Sequence, residues 1–176
     1  MNGLHLFIDN SNIFIVAQRV ARAIYHYDDE LVPRMRINYG KLLDFIRGVR
    51  KLMETVLVGS RPPQNDTLWK RLREMKIEPR IFDRSAFTNK EKGVDAEMVN
   101  AVRDTLDDNP QPGTIAMVAG DQDYVSTLER CVKKGWNVEI YFWAQASSQL
   151  KRISKVKFIE LDQVFKEITF IEKERM

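Results

Sequence analysis

The sequence predicts an α/β protein: a doubly wound, mostly parallel sheet in a three-layer α/β/α sandwich. Three observations point there. Short apolar runs alternate with segments of helical period along the whole chain, the pattern of βαβ units. Some runs, such as Ile115-Ala116-Met117-Val118, are apolar at every position, as strands covered on both faces must be. Two runs stop abruptly at an acidic residue or at Gly followed by acids, with a helical pattern beyond, which marks the carboxyl end of a strand handing over to a helix.

Leu4 to Ile8 is the first strand, ending in Asp9. Ile13, Val16, Ala17, Val20, Ala21 and Ile24 then share one face of a helix,. Tyr25 to Arg36, with Asp28-Asp29-Glu30 and Pro33, breaks that pattern and reads as an excursion near the sheet edge,. Asn38 is placed to cap a second helix carrying Leu42, Leu43, Phe45, Ile46, Val49 and Leu52,. Thr55 to Val58 is the next strand, halted by Gly59, and Ser60 to Asp66 with Pro62-Pro63 is a loop. Leu68, Trp69, Leu72 and Met75 form a helix, Pro79 to Phe82 a strand, and Asp83 to Lys92 a polar run.

Lys92-Gly93-Val94-Asp95 opens a helix with Val94, Met98, Ala101, Val102 and Thr105 on one face, ended by Asp107-Asp108-Asn109-Pro110,. Thr114 to Ala119 is the central strand; its helix carries Tyr124, Leu128, Cys131 and Val132, with Gly135 as C-cap,. Val138 to Phe142 is a strand, Gln149 to Ile153 a short helix, Lys157 to Leu161 a last strand and Phe165 to Phe170 a terminal helix.

The composition, 44% apolar and 30% charged over 176 residues, is that of a soluble globular chain, expected to form a single domain over 1–176,. The absence of an 18-residue apolar run or a charged-then-apolar leader leads us to expect no membrane span, no export and a cytoplasmic location,. A lone cysteine, Cys131, excludes an internal disulfide and a thiolate metal site, and its position suits core packing,.

Net charge is +3, unevenly spread. Nine basic residues lie between Arg61 and Lys92 against five acids, and Lys151, Arg152, Lys155 and Lys157 form a second group. Clustered cations suit a polyphosphate backbone, and equally a solvated helix face.

Asp9, Asp95, Asp121 and Asp123 fall at three separate junctions that this topology brings to one sheet edge,. Each Asp taken alone could cap a helix. Together they would repel by roughly 4 kcal/mol for each pair of charges ~4 Å apart at an effective dielectric of 20, which implies a divalent cation. Hard oxygen ligands suit Mg²⁺ or Mn²⁺ and phosphodiester hydrolysis. No Ser-His-Asp arrangement is evident, and His5 and His26 read as structural,. Asn12 could orient Asp9, contact phosphate or cap the first helix; Ser147 and Ser148 could cap a helix or donate to phosphate. Arg61 and Lys92, on loops expected to face the site, are the leading phosphate contacts, with Lys151 and Arg152 beyond them. Tyr124, Trp143 and Phe87 are candidates for base stacking or for the core,.

Phe7-Ile8-Asp9-Asn10-Ser11-Asn12, Lys92-Gly93-Val94-Asp95, Val118-Ala119-Gly120-Asp121-Gln122-Asp123-Tyr124, Ser147 to Leu150 and Phe158-Ile159-Glu160-Leu161-Asp162 resemble the NYN domain of the LabA/DUF88 type, a branch of the PIN-like nuclease superfamily. The resemblance runs from about Leu4 to Asp162. It implies a PIN-like Rossmannoid fold and a ribonuclease cleaving mostly single-stranded RNA with Mg²⁺ or Mn²⁺. By the same resemblance, Asp9, Asp95, Asp121 and Asp123 become metal ligands or water activators, with Asn12 as an auxiliary. Some relatives carry a further acid after the second strand, where this chain has Gly59, Ser60 and Arg61.

Two other readings stand beside the nuclease: a catalytically silent RNA-binding or regulatory module of the same fold, and a haloacid-dehalogenase-type phosphatase. The phosphatase ranks low, because Asp9 is followed by Asn10 and Ser11 and not by a second Asp two residues on. A homodimer is admitted, since a neighbour could complete a shallow site.

Overall fold

A computed structural model describes residues 3–61, 66–83 and 90–173, with side chains undescribed at 60–69 and 81–92. Six strands form one sheet in the order β4-β3-β1-β5-β6-β7: β1 Leu4–Asp9, β3 Leu52–Arg61, β4 Glu78–Asp83, β5 Thr114–Val118, β6 Asn137–Phe142 and β7 Val156–Glu160. Every neighbouring pair is parallel. The chain starts in the middle of the sheet, builds outward through β3 to β4, then returns to lay β5, β6 and β7 on the other side of β1. The strand order therefore reverses between β1 and β5, which is where an open sheet of this kind leaves a crevice at its carboxyl edge.

Helices cover both faces. On one lie α1 Asn10–Ala23, α2 Tyr39–Arg47, α3 Asp66–Glu74 and α7 Phe165–Ile168, with Ile13, Val20, Leu42, Leu72 and Phe165 in a core beneath them. On the other lie α4 Lys90–Asp108, α5 Val125–Lys133 and α6 Ser148–Lys151, over Val94, Met98, Leu128, Cys131 and Leu150. Alternate residues of β1 feed the two cores, Leu6 and Ile8 the first and Phe7 the second, which is why that strand has no polar face. Pro79 is tolerated in β4 because β4 is an edge strand,.

Three expectations are corrected. The second helix does not reach Leu52: it stops at Arg47, capped by Gly48 at φ 59°, and Val49 is fully exposed. Leu52 instead opens β3, which runs on through Gly59 to Arg61, so Ser60 and Arg61 belong to a strand rather than a loop. The terminal helix ends at Ile168, and Thr169–Ile171 forms a strand, β8, antiparallel to Met35–Ile37, β2. The excursion after α1 thus has structure of its own. Val32, Met35 and Ile37 are buried there, and Arg36 meets Glu172 at 2.9 Å.

Candidate metal centre

Two strand ends and one helix build the site. Asp9 is the last residue of β1 and N-caps α1, its Oδ1 accepting from the Asn12 backbone N–H at 3.1 Å. Asp121 follows β5 and caps a short 3₁₀ turn, Gln122–Tyr124, by accepting from the Asp123 N–H at 2.9 Å. Both therefore do the capping that a single Asp at such a place is expected to do. Convergence with the others goes beyond capping. Asp95 lies on α4, in its second turn, because that helix starts at Lys90 rather than Lys92.

Asp95, Asp121 and Asp123 each offer an oxygen, and these three oxygens lie within 4.8 Å of one another. Asp9 joins them through a tyrosine. The Tyr124 hydroxyl, fully buried, is 2.9 Å from Asp9 Oδ2 and 2.9 Å from Asp95 Oδ1. A phenol has one proton to donate, so it can satisfy only one of these carboxylates at a time. Burial, with the two carboxylates beside it, drives the Tyr124 pKa far upward, and the phenol stays protonated.

Asp95 carries the electrostatic strain. Burial pushes its pKa up to about 7; Asp123, Asp9 and Asp121 push in the same direction, and the Tyr124 hydroxyl opposes them. Among the described residues no Lys or Arg lies within ion-pair distance of Asp95, Asp121 or Asp123. Nothing on the described chain neutralises the group. Its donor set is all carboxylate oxygen, two of the three acids half-buried and Asp123 exposed, which fits a hard divalent cation that keeps some of its waters.

The turn after β5 is held in place by its neighbours. Asn12 Oδ1 accepts from the Gly120 N–H at 3.0 Å, and the Gly120 carbonyl accepts from the Ser147 N–H at 2.9 Å. A Cβ at Gly120 would stand 2.3 Å from the Phe142 ring, so only glycine lets the backbone pass there. Asn12 is thus a strut between the ends of β1 and β5: its side chain meets Gly120, and its contact with Asp9 is through its backbone N–H.

The anticipated phosphate contacts fare unequally. Ser147 caps α6 through Gln149 N at 3.2 Å, while Ser148 is exposed on its first turn. Lys151 Nζ donates to the Ala144 carbonyl at 2.5 Å and sits over the Phe158 ring; Arg152 is exposed. The side chains of Arg61 and Lys92, like Phe87, lie outside the described residues. In the basic tract between them, Arg80 is committed to Glu97 at 2.6 Å and Glu78 at 3.5 Å. Trp143 is buried, its indole N–H donating to the Ile13 carbonyl at 3.0 Å, so it belongs to the core and not to a stacking surface. Tyr124 is also core by exposure, and sequence periodicity found it as such; the role of its hydroxyl had no sequence signal.

A family model described as NYN domain matches residues 4–162. The chain belongs to the NYN domain family. That family is part of the PIN-like nuclease superfamily, and the six-stranded parallel sheet flanked by helices is consistent with it. No curated protein matches. Among solved structures, a protein of unknown function from Vibrio parahaemolyticus superposes with a TM-score of 0.54 at 14% identity, over 92% of this chain and 94% of that one; at that identity the likeness concerns the fold. No described helix of this NYN domain is long and apolar enough to cross a membrane.

Proposed function

We propose that this NYN domain is a metal-dependent ribonuclease that hydrolyses phosphodiester bonds of single-stranded RNA. The observation that carries the reading is the approach of Asp95, Asp121 and Asp123 to within 4.8 Å at the edge where β1 and β5 diverge, with no cation of the described chain to offset them. Asp95, Asp121 and Asp123 would hold Mg²⁺ or Mn²⁺, with Asp9 behind them. Such an ion supplies a polarised phosphoryl oxygen and an acidified water for in-line attack.

The chain's own part is to keep the acids together. Asn12 and Ser147 pin Gly120 and with it the Asp121–Asp123 turn, while the Tyr124 hydroxyl spans Asp9 and Asp95. Asp95, its pKa raised to about 7, would have to lose its proton to hold the cation. Cleavage would break one P–O bond of the backbone as a P–O bond to the attacking water's oxygen forms, the water giving a proton to an acceptor at the site and the leaving ribose oxygen taking up a proton to depart as an alcohol.

The test is labelled single-stranded RNA incubated with Mn²⁺ or Mg²⁺ and either the natural chain or Asp121→Asn. Metal-dependent cutting that falls at least about 100-fold in the variant is expected, beyond the 10–100-fold that supporting residues cost at metal sites. Equal cutting by both, or none by either, removes the reading. A second reading rests on the end of β3, where Gly59, Ser60 and Arg61 stand in place of a further acid: a module that binds RNA without cutting it. Its mark would be salt-dependent RNA binding with intact RNA at saturating Mn²⁺.

A further inference from the structure

Like charges also gather at a second place in this protein. Between α4 and α5 run two adjoining cavities that share Arg103, Leu106 and Arg130. The larger, about 200 Å³, adds Asp107 and Lys134; the smaller, about 120 Å³, adds Ser126 and Thr127. Leu106 and Thr127 are buried at the floor, and Arg103, Arg130 and Lys134 are exposed at the walls.

We propose that this cleft is a binding track for the phosphates of an RNA strand, gripped by Arg103 and Arg130 with Lys134 at its far end. The proposal rests on the reading that the substrate is RNA. Cations at the end of α5 have an ordinary explanation, since Arg130, Lys133 and Lys134 complement the negative end of that helix,. Arg103 lies outside the last turn of α4, so the dipole of its helix does not account for it,. It is the sole cation in residues 93–108, a stretch that also carries Asp95, Glu97, Asp104, Asp107 and Asp108. Yet among the described residues Arg103, Arg130 and Lys134 make no ion pair. Asp107 is the one acid against three cations in the lining of the larger cavity, and the smaller is lined by Arg103 and Arg130 with no acid, so an anion held there would gain charge-assisted hydrogen bonds from both guanidinium groups,.

The direction of the cleft favours a strand over a small anion. Both helices rise from the carboxyl edge that carries the acids; Ser126 is five residues past Asp121, and Arg103 eight past Asp95, about 12 Å along the helix axis. The cleft therefore lies about 12 Å along α4 from Asp95 and runs on to Asp107 and Lys134 towards the far ends of both helices, longer than one phosphate,. Neither cavity includes any of the four acids, so the track and the site of cutting are separate and can be tested separately.

The experiment measures binding of a fluorescein-labelled single-stranded RNA of about 20 nucleotides to the full chain in EDTA, by anisotropy, across a range of salt concentrations. The double variant Arg103→Gln/Arg130→Gln should bind at least about tenfold more weakly, and its slope of log K against log salt should fall by about 1.4, at ~0.7 per lost phosphate contact on a single strand. The pair Lys41→Gln/Arg47→Gln, on α2 across the sheet, serves as the control and should change affinity less than about twofold. Equal losses in both pairs, an unchanged slope in the first, or no RNA binding by the natural chain would overturn the proposal. Retained cutting with binding insensitive to Arg103 and Arg130 would sink the track and leave the nuclease; weakened binding without any cutting would do the reverse.

Discussion

Two buried tyrosine hydroxyls sit between charged side chains in this protein, and their surroundings differ in one respect. Tyr141 donates to Glu139 at 2.8 Å, and that glutamate also accepts from Arg50 at 2.7 Å; Arg50 in turn reaches the Ile46 carbonyl. The Arg50 pKa is raised chiefly by its hydrogen bond to Glu139. Here the negative charge is matched and every proton has a destination. Tyr124 has a carboxylate on either side. The first arrangement is complete as it stands and fastens β6 to the end of α2. The second sets two carboxylates against a single phenol proton, an unbalanced arrangement of the kind that gathers at functional sites.

Removing acids should widen this difference most. Asp95→Asn is expected to abolish Mn²⁺-dependent cutting by at least about 100-fold, above the 10–100-fold range of supporting residues, and to weaken Mn²⁺ binding measured by calorimetry. Retention of full Mn²⁺ affinity would show that the ion, if bound, uses other groups. Next in size is Tyr124→Phe, which leaves the core volume unchanged and deletes only the shared hydroxyl. Mn²⁺ affinity should drop about 10–100-fold, without a matching loss of helix content by circular dichroism.

The Tyr141 network should respond in the opposite way. Glu139→Gln leaves Arg50 without its charged partner and should cost about 2 kcal/mol, seen as a fall of some 4–8 °C in melting temperature, with Mn²⁺ affinity within about twofold of the natural chain. A large loss of metal binding there would break the division between the two networks.

Smallest, and specific to the acids, is the pH response. With the Asp95 pKa raised from the ordinary carboxylate range to about 7, the folded chain keeps a proton that the unfolded chain has lost between those values. The stability this group contributes to the metal-free protein is complete below about pH 4 and is lost as pH rises through about 7. Asp95→Asn should flatten that slope in thermal melts, and Mn²⁺ binding near pH 6 should release a proton and tighten as pH climbs. A metal affinity flat from pH 5.5 to 8 would contradict it.

Much of this was legible in the chain. Apolar runs and helical spacing located the six central strands and the large helices, because strands buried on both faces leave a plain signal. The acids were found by where they fall, each just past an apolar run or beside a helix start. What escaped notice depends on partners distant in sequence. Met35–Ile37 and Thr169–Ile171 are three residues each, too short to show alternation, and each is a strand only because the other is there. Gly48 with its positive φ ended α2 early, although the apolar spacing continued to Leu52. The Tyr124 hydroxyl is invisible to any periodicity, which registers the ring and not the oxygen. Arg103 and Arg130 come from different helices, and no spacing rule pairs them; Arg80, inside the conspicuous basic tract, spends its charge on Glu97 and Glu78.

The match to the NYN family ends at residue 162, but the fold does not. Phe165 stacks on Tyr25 with ring centroids 4.4 Å apart, Ile168 is buried, and the last strand supplies the only edge that Met35–Ile37 pairs with among the described residues. A chain trimmed at Asp162 would keep all four acids yet uncover an aromatic slot and a bare strand edge, the kind of surface through which protein molecules clump. Recombinant versions cut to the family limits are therefore expected to precipitate, and their silence in a nuclease assay would reflect lost solubility rather than absent chemistry.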